Sequence, residues 1–154
     1  DRDYYLACRQ DAWQTIYGNL DRYDGAGFLD DAYDSWKANP KSLVVAMAGN
    51  HRAGLLQLDP RRGQEAHEAY ISFLYLAPEQ RNNGVGIQLI GKAVSLSRPL
   101  DCDKLGLVCS QQNAHALAFY QKYGFHTIGT EAGAYGTLYR MQKDIGYTVR
   151  EDLM

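Results

Sequence analysis

Apolar positions along the 154-residue chain fall into two rhythms. At the start they recur at helical spacing. Tyr5/Leu6, Trp13 and Ile16/Tyr17 share roughly one face, with Asp3 placed to cap the helix and Gly18 to stop it. The turn-rich loop from Asn19 to Gly27 precedes a second expected helix, about Phe28 to Ala38, which Asn39-Pro40 ends. The rhythm then becomes that of strands. Leu43–Met47 and Ala53–Leu58, joined across Gly49-Asn50, read as a hairpin. Beyond the polar loop Asp59–Glu65, Ala69–Leu76 is almost continuously apolar and rich in aromatic and β-branched residues, which predicts a strand buried on both faces. Pro78 ends it, the polar turn Glu79–Asn83 follows, and a helix is expected from about Asn83 to Ser97, with Val85, Ile87, Leu89/Ile90 and Val94 apolar. Lys104–Ser110 predicts another strand. Strand, helix and strand in this order make a βαβ unit, so the two strands are expected to be parallel. Asn113 then caps a helix whose apolar faces are Ala114/Leu117/Ala118 and Ala116/Phe119/Tyr120, and Gly124 closes it. Phe125–Glu131 and Thr137–Asp144 are expected to pair as an antiparallel hairpin around a turn through Gly136.

The stretch Glu68–Leu96 organises the rest, because its strand–glycine turn–helix corner aims backbone N–H groups and the positive end of a helix dipole at one point. Such a corner suits an anion, for instance a pyrophosphate, and Gly84 and Gly86 let backbone approach where a Cβ would collide. Three phosphate-binding readings compete. The dinucleotide fingerprint G-x-G-x-x-G fails because the glycine after Gly86 is Gly91, two positions too far. Gly86-Ile-Gln-Leu-Ile-Gly91-Lys92 has the spacing of a Walker A loop, but Ala93 offers no hydroxyl for Mg²⁺ and Ile-Gln-Leu-Ile has the phase of a buried helix. The third reading is the turn Arg81-Asn-Asn-Gly84-Val-Gly86 itself, (Q/R)-x-x-G-x-G/A after a buried strand.

That turn resembles the pyrophosphate-binding turn of the GNAT superfamily of acyl-CoA-dependent N-acetyltransferases. About thirty residues downstream, Asn113, Ala116, Phe119, Tyr120, Gly124 and Phe125 reproduce the superfamily's helix signature N-x-x-A-x-x-(L/F)-Y-x-x-x-G-F. The two motifs and the strand between them cover about half the chain, and the order of the flanking elements agrees as well. The resemblance implies an α+β fold in three layers (α/β/α): a mainly antiparallel central sheet with one splayed parallel strand pair and helices on both faces. One departure stands out. The superfamily begins with a strand before its first helix, and this chain, which has no initiator Met, does not supply it; the expectation is an excised domain or another segment on that sheet edge, with Tyr147–Arg150 as a candidate. Residues 1–146 are expected to form a single acetyltransferase domain, and 147–154 a C-terminal tail.

The resemblance also implies site residues. Acetyl-CoA would lie where the parallel strands part, its pantetheine arm and acyl oxygen held by backbone at Leu74, Tyr75 and Leu76, its pyrophosphate by Arg81, Asn82, Asn83, Gly84, Val85 and Gly86. Donors aimed at a developing oxyanion are often the largest catalytic contribution. Asn113 and Phe119 would flank the arm, and Tyr120 would give the leaving CoA thiolate its proton, a phenol near pKa 10 being protonated at neutral pH. The amine attacks directly, so no Ser or Cys nucleophile is needed. The base is harder to read. Where the superfamily uses a strand carboxylate, it falls eleven residues before Arg81, at Tyr70; Glu68, two residues earlier on the same strand face, is the expected base through water, with Tyr75 and His67 behind it. Asp21, Asp24, Asp30, Asp31 and Asp34 cluster on the expected acceptor side, where a cationic amine would be attracted; Lys92 and Lys122 are further candidates for CoA phosphates.

Composition sets outer bounds. With 45% apolar and 22% charged residues the chain can build one core. A net charge of −2 argues against a nucleic-acid partner. No apolar run has the ~18 residues of a membrane span, and no secretory signal opens the chain, so a cytoplasmic location is expected. Cys8, Cys102 and Cys109 show no C-x-x-C spacing, and His51, His67, His115 and His126 are scattered, so neither disulfides nor a metal site is expected. The leading reading is therefore an N-acetyltransferase, monomer or homodimer, that moves an acetyl group from acetyl-CoA to a primary amine on a small molecule or peptide. The alternative is a CoA-binding regulatory or accessory module without transfer activity, part of a larger protein.

Overall fold

A computed structural model of the chain describes residues 1–146. Helix α1 (Arg2–Tyr17) starts two residues earlier than its sequence signal: Asp1, not Asp3, accepts the Tyr4 N–H, and Asp3 lies in the first turn, where its charge meets the helix dipole. Gly18 ends it at φ 78°, a left-handed conformation suited to glycine. Helix α2 (Gly25–Ala38) also starts early, because the Asp24 carboxylate accepts the Gly27 N–H at 2.9 Å. Strands β1 (Leu43–Ala48), β2 (His51–Asp59) and β3 (Glu68–Leu76) precede helix α3 (Val85–Ser97), strand β4 (Lys104–Ser110), helix α4 (Ala114–Lys122) and the hairpin β5 (His126–Gly133) with β6 (Gly136–Asp144). None of these helices is long and apolar enough to cross a membrane.

The strands form one six-stranded sheet in the order β1-β2-β3-β4-β6-β5, antiparallel throughout except for the parallel pair β3/β4. Alternation along β2 sends neighbouring residues into two cores. Leu55 joins Tyr5, Cys8 and Ala32 of α1 and α2 on one face. Leu56 and Leu58 join Leu89, Ile90 and Ala93 of α3, with Tyr120 of α4, Leu105, Leu107 and Met141, on the other. Helices therefore cover both faces, as the resemblance implied.

One expectation needs correcting, and a second falls outside the described residues. The strand β3 is not buried along its whole length: Ala69, Tyr70 and Ile71 are buried, whereas Ser72–Leu76 are only half-buried. The cause is the sheet itself. Pairing with β4 covers Glu68, Ala69 and Tyr70 alone, after which the strands part and β3 has no neighbour on that edge. The second concerns the outer edge. Among the described residues nothing pairs with the far side of β1, where Val45 (40%) and Met47 (56%) are exposed. Tyr147–Arg150, the segment expected to serve there, lies outside the described residues.

A buried polar hub joins α1 and α2 to the sheet. Gln57 of β2 is fully buried; its carbonyl accepts the Tyr5 hydroxyl (2.7 Å) and an Arg9 Nη2 donor (3.3 Å), and its amide donates to Asp31 (3.1 Å) and Ser35 Oγ (3.3 Å). Nearby, Arg61 bridges the β2 end to α2 through Asp59 and Asp31, both at 2.9 Å. Burial alone would push the Asp59 carboxyl up, but the Arg61 hydrogen bonds and the attraction of Arg62 outweigh it and hold that carboxyl below its ordinary range.

Candidate functional site

The gap between β3 and β4 is lined by backbone. Ala77 donates its N–H to Ala53 of β2 (2.9 Å), and the Tyr75 carbonyl lies against Gly54 so closely that a Cβ there would sit 2.5 Å from it. Residues of a strand alternate in the edge they serve, so the N–H and C=O groups of Leu74 and Leu76 turn the other way, toward the gap. Their side chains pack into the α3/α4 core. Tyr75 points its side chain to the opposite face, where its hydroxyl donates to Asp11 Oδ2 at 2.5 Å.

At the open end of the gap stands the glycine turn. Asn82 (φ 67°) and Gly84 (φ 81°) are both left-handed, which folds Arg81–Gly84 into an exposed corner above the α3 N-terminus. Gly84 is the N-cap and brings no side-chain acceptor, so the amides of Val85, Gly86 and Ile87 in the first turn lack a capping partner. A Cβ at Gly84 would meet nothing within 4 Å. Gly86 serves otherwise than expected: a Cβ there would lie 2.5 Å from the Phe119 ring, so its glycine allows α3 to pack on α4 rather than letting a ligand approach. Gly86→Ala should therefore cost about 1–3 kcal/mol by overpacking, read as a lower Tm, and weaken acetyl-CoA binding through displacement of Phe119.

Helix α4 links the two parted strands. Phe119 reaches Gly86 and, with Leu76, the α3 core; Tyr120, next to it, packs edge-on to Phe125 and faces Cys109 of β4. Asn113 accepts the Ala116 N–H at 3.2 Å and fixes the helix start. Tyr120 is 9% exposed, and its hydroxyl makes no hydrogen bond to any described residue. Burial, with a smaller contribution from Cys109, pushes its phenol above the ordinary tyrosine range, so the proton is held at neutral pH.

The structure brings Leu74, Leu76, Arg81–Gly86, Phe119 and Tyr120 around one gap. It does not bring Glu68 there. That residue lies at the paired end of β3, about 20 Å along the strand from Leu74 at ~3.3 Å per residue. Its carboxylate lies over Gly106 and accepts from Gln142 Nε2 at 2.7 Å. His67, in the left-handed region at φ 56°, sits beyond it, beside Asp101. Lys92 and Lys122 are exposed on α3 and α4.

On the α1/α2 side of β3, where pairing with β4 stops, lies a cleft of about 490 Å³. Tyr70 and Ser72 form its floor, Arg9, Trp13, Phe28 and Asp31 one wall, and Tyr135 from the β5–β6 turn its rim. Tyr135 is held there edge-on to Trp13 (5.4 Å between centroids) and Tyr17 (5.8 Å). The acidic cluster is largely spent on structure: Asp24 caps α2, while Asp31 and Asp34 pair with Arg61. Sequence reasoning missed Arg9, Arg62, Trp13 and Tyr135. The one local signal was Arg9, a charge four residues after Tyr5 on the stripe that packs inward.

Comparison with known proteins agrees with this geometry. Residues 5–125 match the acetyltransferase (GNAT) family model. The chain is 28% identical over 111 residues to GCN5-related N-acetyltransferase 4, chloroplastic, of Arabidopsis thaliana, a match covering 66% of this chain and 38% of that protein. It is 31% identical over 88 residues to human N-alpha-acetyltransferase 30, covering 56% and 24%. It thus matches well under half the length of these two relatives. Among solved structures, Ard1 from Thermoplasma volcanium superposes with a TM-score of 0.74 at 21% identity, covering 96% of this chain and 95% of that one. PaiA N-acetyltransferase from Thermoplasma acidophilum, solved in complex with coenzyme A, gives 0.72 at 20% identity, covering 94% and 92%. On the family match and the parted β3/β4 pair with its glycine turn, the chain belongs to the GNAT acetyltransferase family.

Proposed function

We propose that the chain is an N-acetyltransferase that moves an acetyl group from acetyl-CoA to a primary amine by direct attack. The observation that carries this reading is the open β3 edge at Leu74 and Leu76, bounded by the uncapped start of α3 on one side and, on the other, by the Tyr120 hydroxyl, which has no hydrogen-bond partner among the described residues. Acetyl-CoA supplies the activated acyl group. The amides of Val85, Gly86 and Ile87, with Arg81, Asn82 and Asn83, hold the pyrophosphate. The turned-out amides of Leu74 and Leu76 hold the pantetheine arm and polarise the acyl oxygen. The amine, having lost its ammonium proton to solvent, enters through the cleft over Tyr70 and Ser72; its nitrogen bonds to the acyl carbon and gives up a second proton to solvent, the C–S bond breaks, and Tyr120 protonates the departing thiolate and regains its proton from solvent. Glu68 takes no part at the distance its strand position gives. The names of the relatives, which include N-acetyltransferases, support an amine as acceptor.

Titration calorimetry tests the donor half. Acetyl-CoA is expected to bind with micromolar affinity and ATP–Mg²⁺ not at all, and thiol release should follow when amines are added. Binding without release to any amine would favour the CoA-binding regulatory module instead; silence toward acetyl-CoA would sink both.

A further inference from the structure

The charges that line the acceptor cleft are unequal in what they are free to do. Three carboxylates face it, and each is already engaged: Asp24 by the Gly27 N–H at 2.9 Å, Asp31 by Arg61 at 2.9 Å and Gln57 at 3.1 Å, Asp59 by Arg61 at 2.9 Å. Three guanidiniums face it too. Arg9 is spent, donating to Tyr5 and Gln57 while lying 3.9 Å from the Phe73 ring centre and 4.4 Å from that of Phe28. The other two are not. Arg62 lies 3.7 Å from the ring centre of Tyr70 on the cleft floor, and Arg22 5.2 Å from that of Tyr135 at the rim. Among the described residues neither guanidinium makes a hydrogen bond or an ion pair. Stacking on a ring fixes a guanidinium plane while leaving its N–H edge available, and such a fork matches the two oxygens of a carboxylate or phosphate.

We infer that the acceptor is a small amine that also carries an oxyanion, which Arg62 and Arg22 hold across the cleft while its amino group lies over Ser72 toward the β3/β4 gap. The volume suits a metabolite-sized molecule. This assignment rests on the proposed transfer reaction and gives it a substrate class.

The test uses matched amines with the full chain and saturating acetyl-CoA: leucine, leucine methyl ester and isopentylamine in one set, O-phosphoethanolamine and ethanolamine in the other, read by thiol release. An oxyanionic member should show a KM at least tenfold below that of its uncharged partner. Arg62→Gln and Arg22→Gln should each erase most of that ratio by raising KM, with kcat and acetyl-CoA affinity unchanged. Uncharged partners used equally well, or a ratio that survives both substitutions, would overturn the inference. The same compounds are titrated against the CoA-loaded protein by Trp13 fluorescence in a Trp36→Phe background, which reads binding whether or not transfer occurs. Transfer failing while leucine or O-phosphoethanolamine still binds, and loses binding in Arg62→Gln, would remove the reaction but keep the oxyanion site. No binding of either oxyanion, with uncharged amines acetylated, would remove the site but keep the reaction.

Discussion

Tyr120→Phe is expected to lower kcat by about 10²–10⁴-fold, the usual worth of a positioned proton donor, while acetyl-CoA affinity changes less than about twofold. The structure separates this outcome from a packing defect. The ring supplies the packing, edge-on to Phe119 and Phe125, and phenylalanine keeps it. The hydroxyl bonds to no described residue, so its removal orphans none of them, and Tm should stay within a degree or two. The pH dependence follows from the sign of the pKa shift. Burial raises the phenol above its ordinary value, so the protonated, donating form persists through neutral pH and past 10. A pH–kcat profile should therefore show no alkaline fall attributable to Tyr120 below about pH 10, in contrast to a donor with an ordinary phenol. Unchanged turnover in the phenylalanine variant would make Tyr120 a core residue and leave the thiolate to solvent.

What the sequence made legible was whatever local chemistry decides. The Arg81–Gly86 turn, the Asn113 cap and the β3–α3–β4 unit each declare themselves within a few residues, and the structure has these elements in the order read, although Gly86 serves packing against Phe119. The cap of α1 shifted from Asp3 to Asp1 because both residues are able N-caps and propensity does not choose between them. Glu68 shows a different limit. The two-residue period of a strand correctly puts it on the face of Tyr70, but says nothing of where along β3 the neighbouring strand lets go. That point, after Tyr70, decides which residues border the gap. The cleft is the least local feature of all. Arg9, Arg62 and Tyr135 come from a helix, a loop and a hairpin turn far apart in the chain, and none stands in a motif. Only the folded sheet brings them together.

Gln57→Leu is expected to cost about 3 kcal/mol, which for a chain of this size lowers Tm by ~6–12 °C. A fully buried glutamine on β2, beside Leu56 and Leu58 that face the other core, is tolerated because all of its polar capacity is used. Leucine fills a similar volume but strands its partners. As a donor the Tyr5 hydroxyl keeps only the long contact to the Phe28 carbonyl (3.3 Å), while it still accepts from Arg9 Nε (2.9 Å). Arg9 keeps Tyr5 alone, and the Ser35 hydroxyl and Asp31 each lose a donor. Tyr5→Phe is the control: it removes the short bond to Gln57, the long contact to the Phe28 carbonyl and one acceptor of Arg9, but leaves Gln57 its other partners, and should cost about 1–2 kcal/mol. The functional consequence differs from that of Tyr120. Gln57 holds Arg9 and Asp31, two residues of one wall of the proposed acceptor cleft, and hydrogen-bonds to nothing at the α3 turn. The leucine variant should therefore raise the acceptor KM while acetyl-CoA affinity, measured below the lowered Tm, stays within about twofold. A Tm loss no greater than that of Tyr5→Phe would show that Arg9 and Asp31 find new partners, and that the hub is not what fixes α1 and α2 to the sheet.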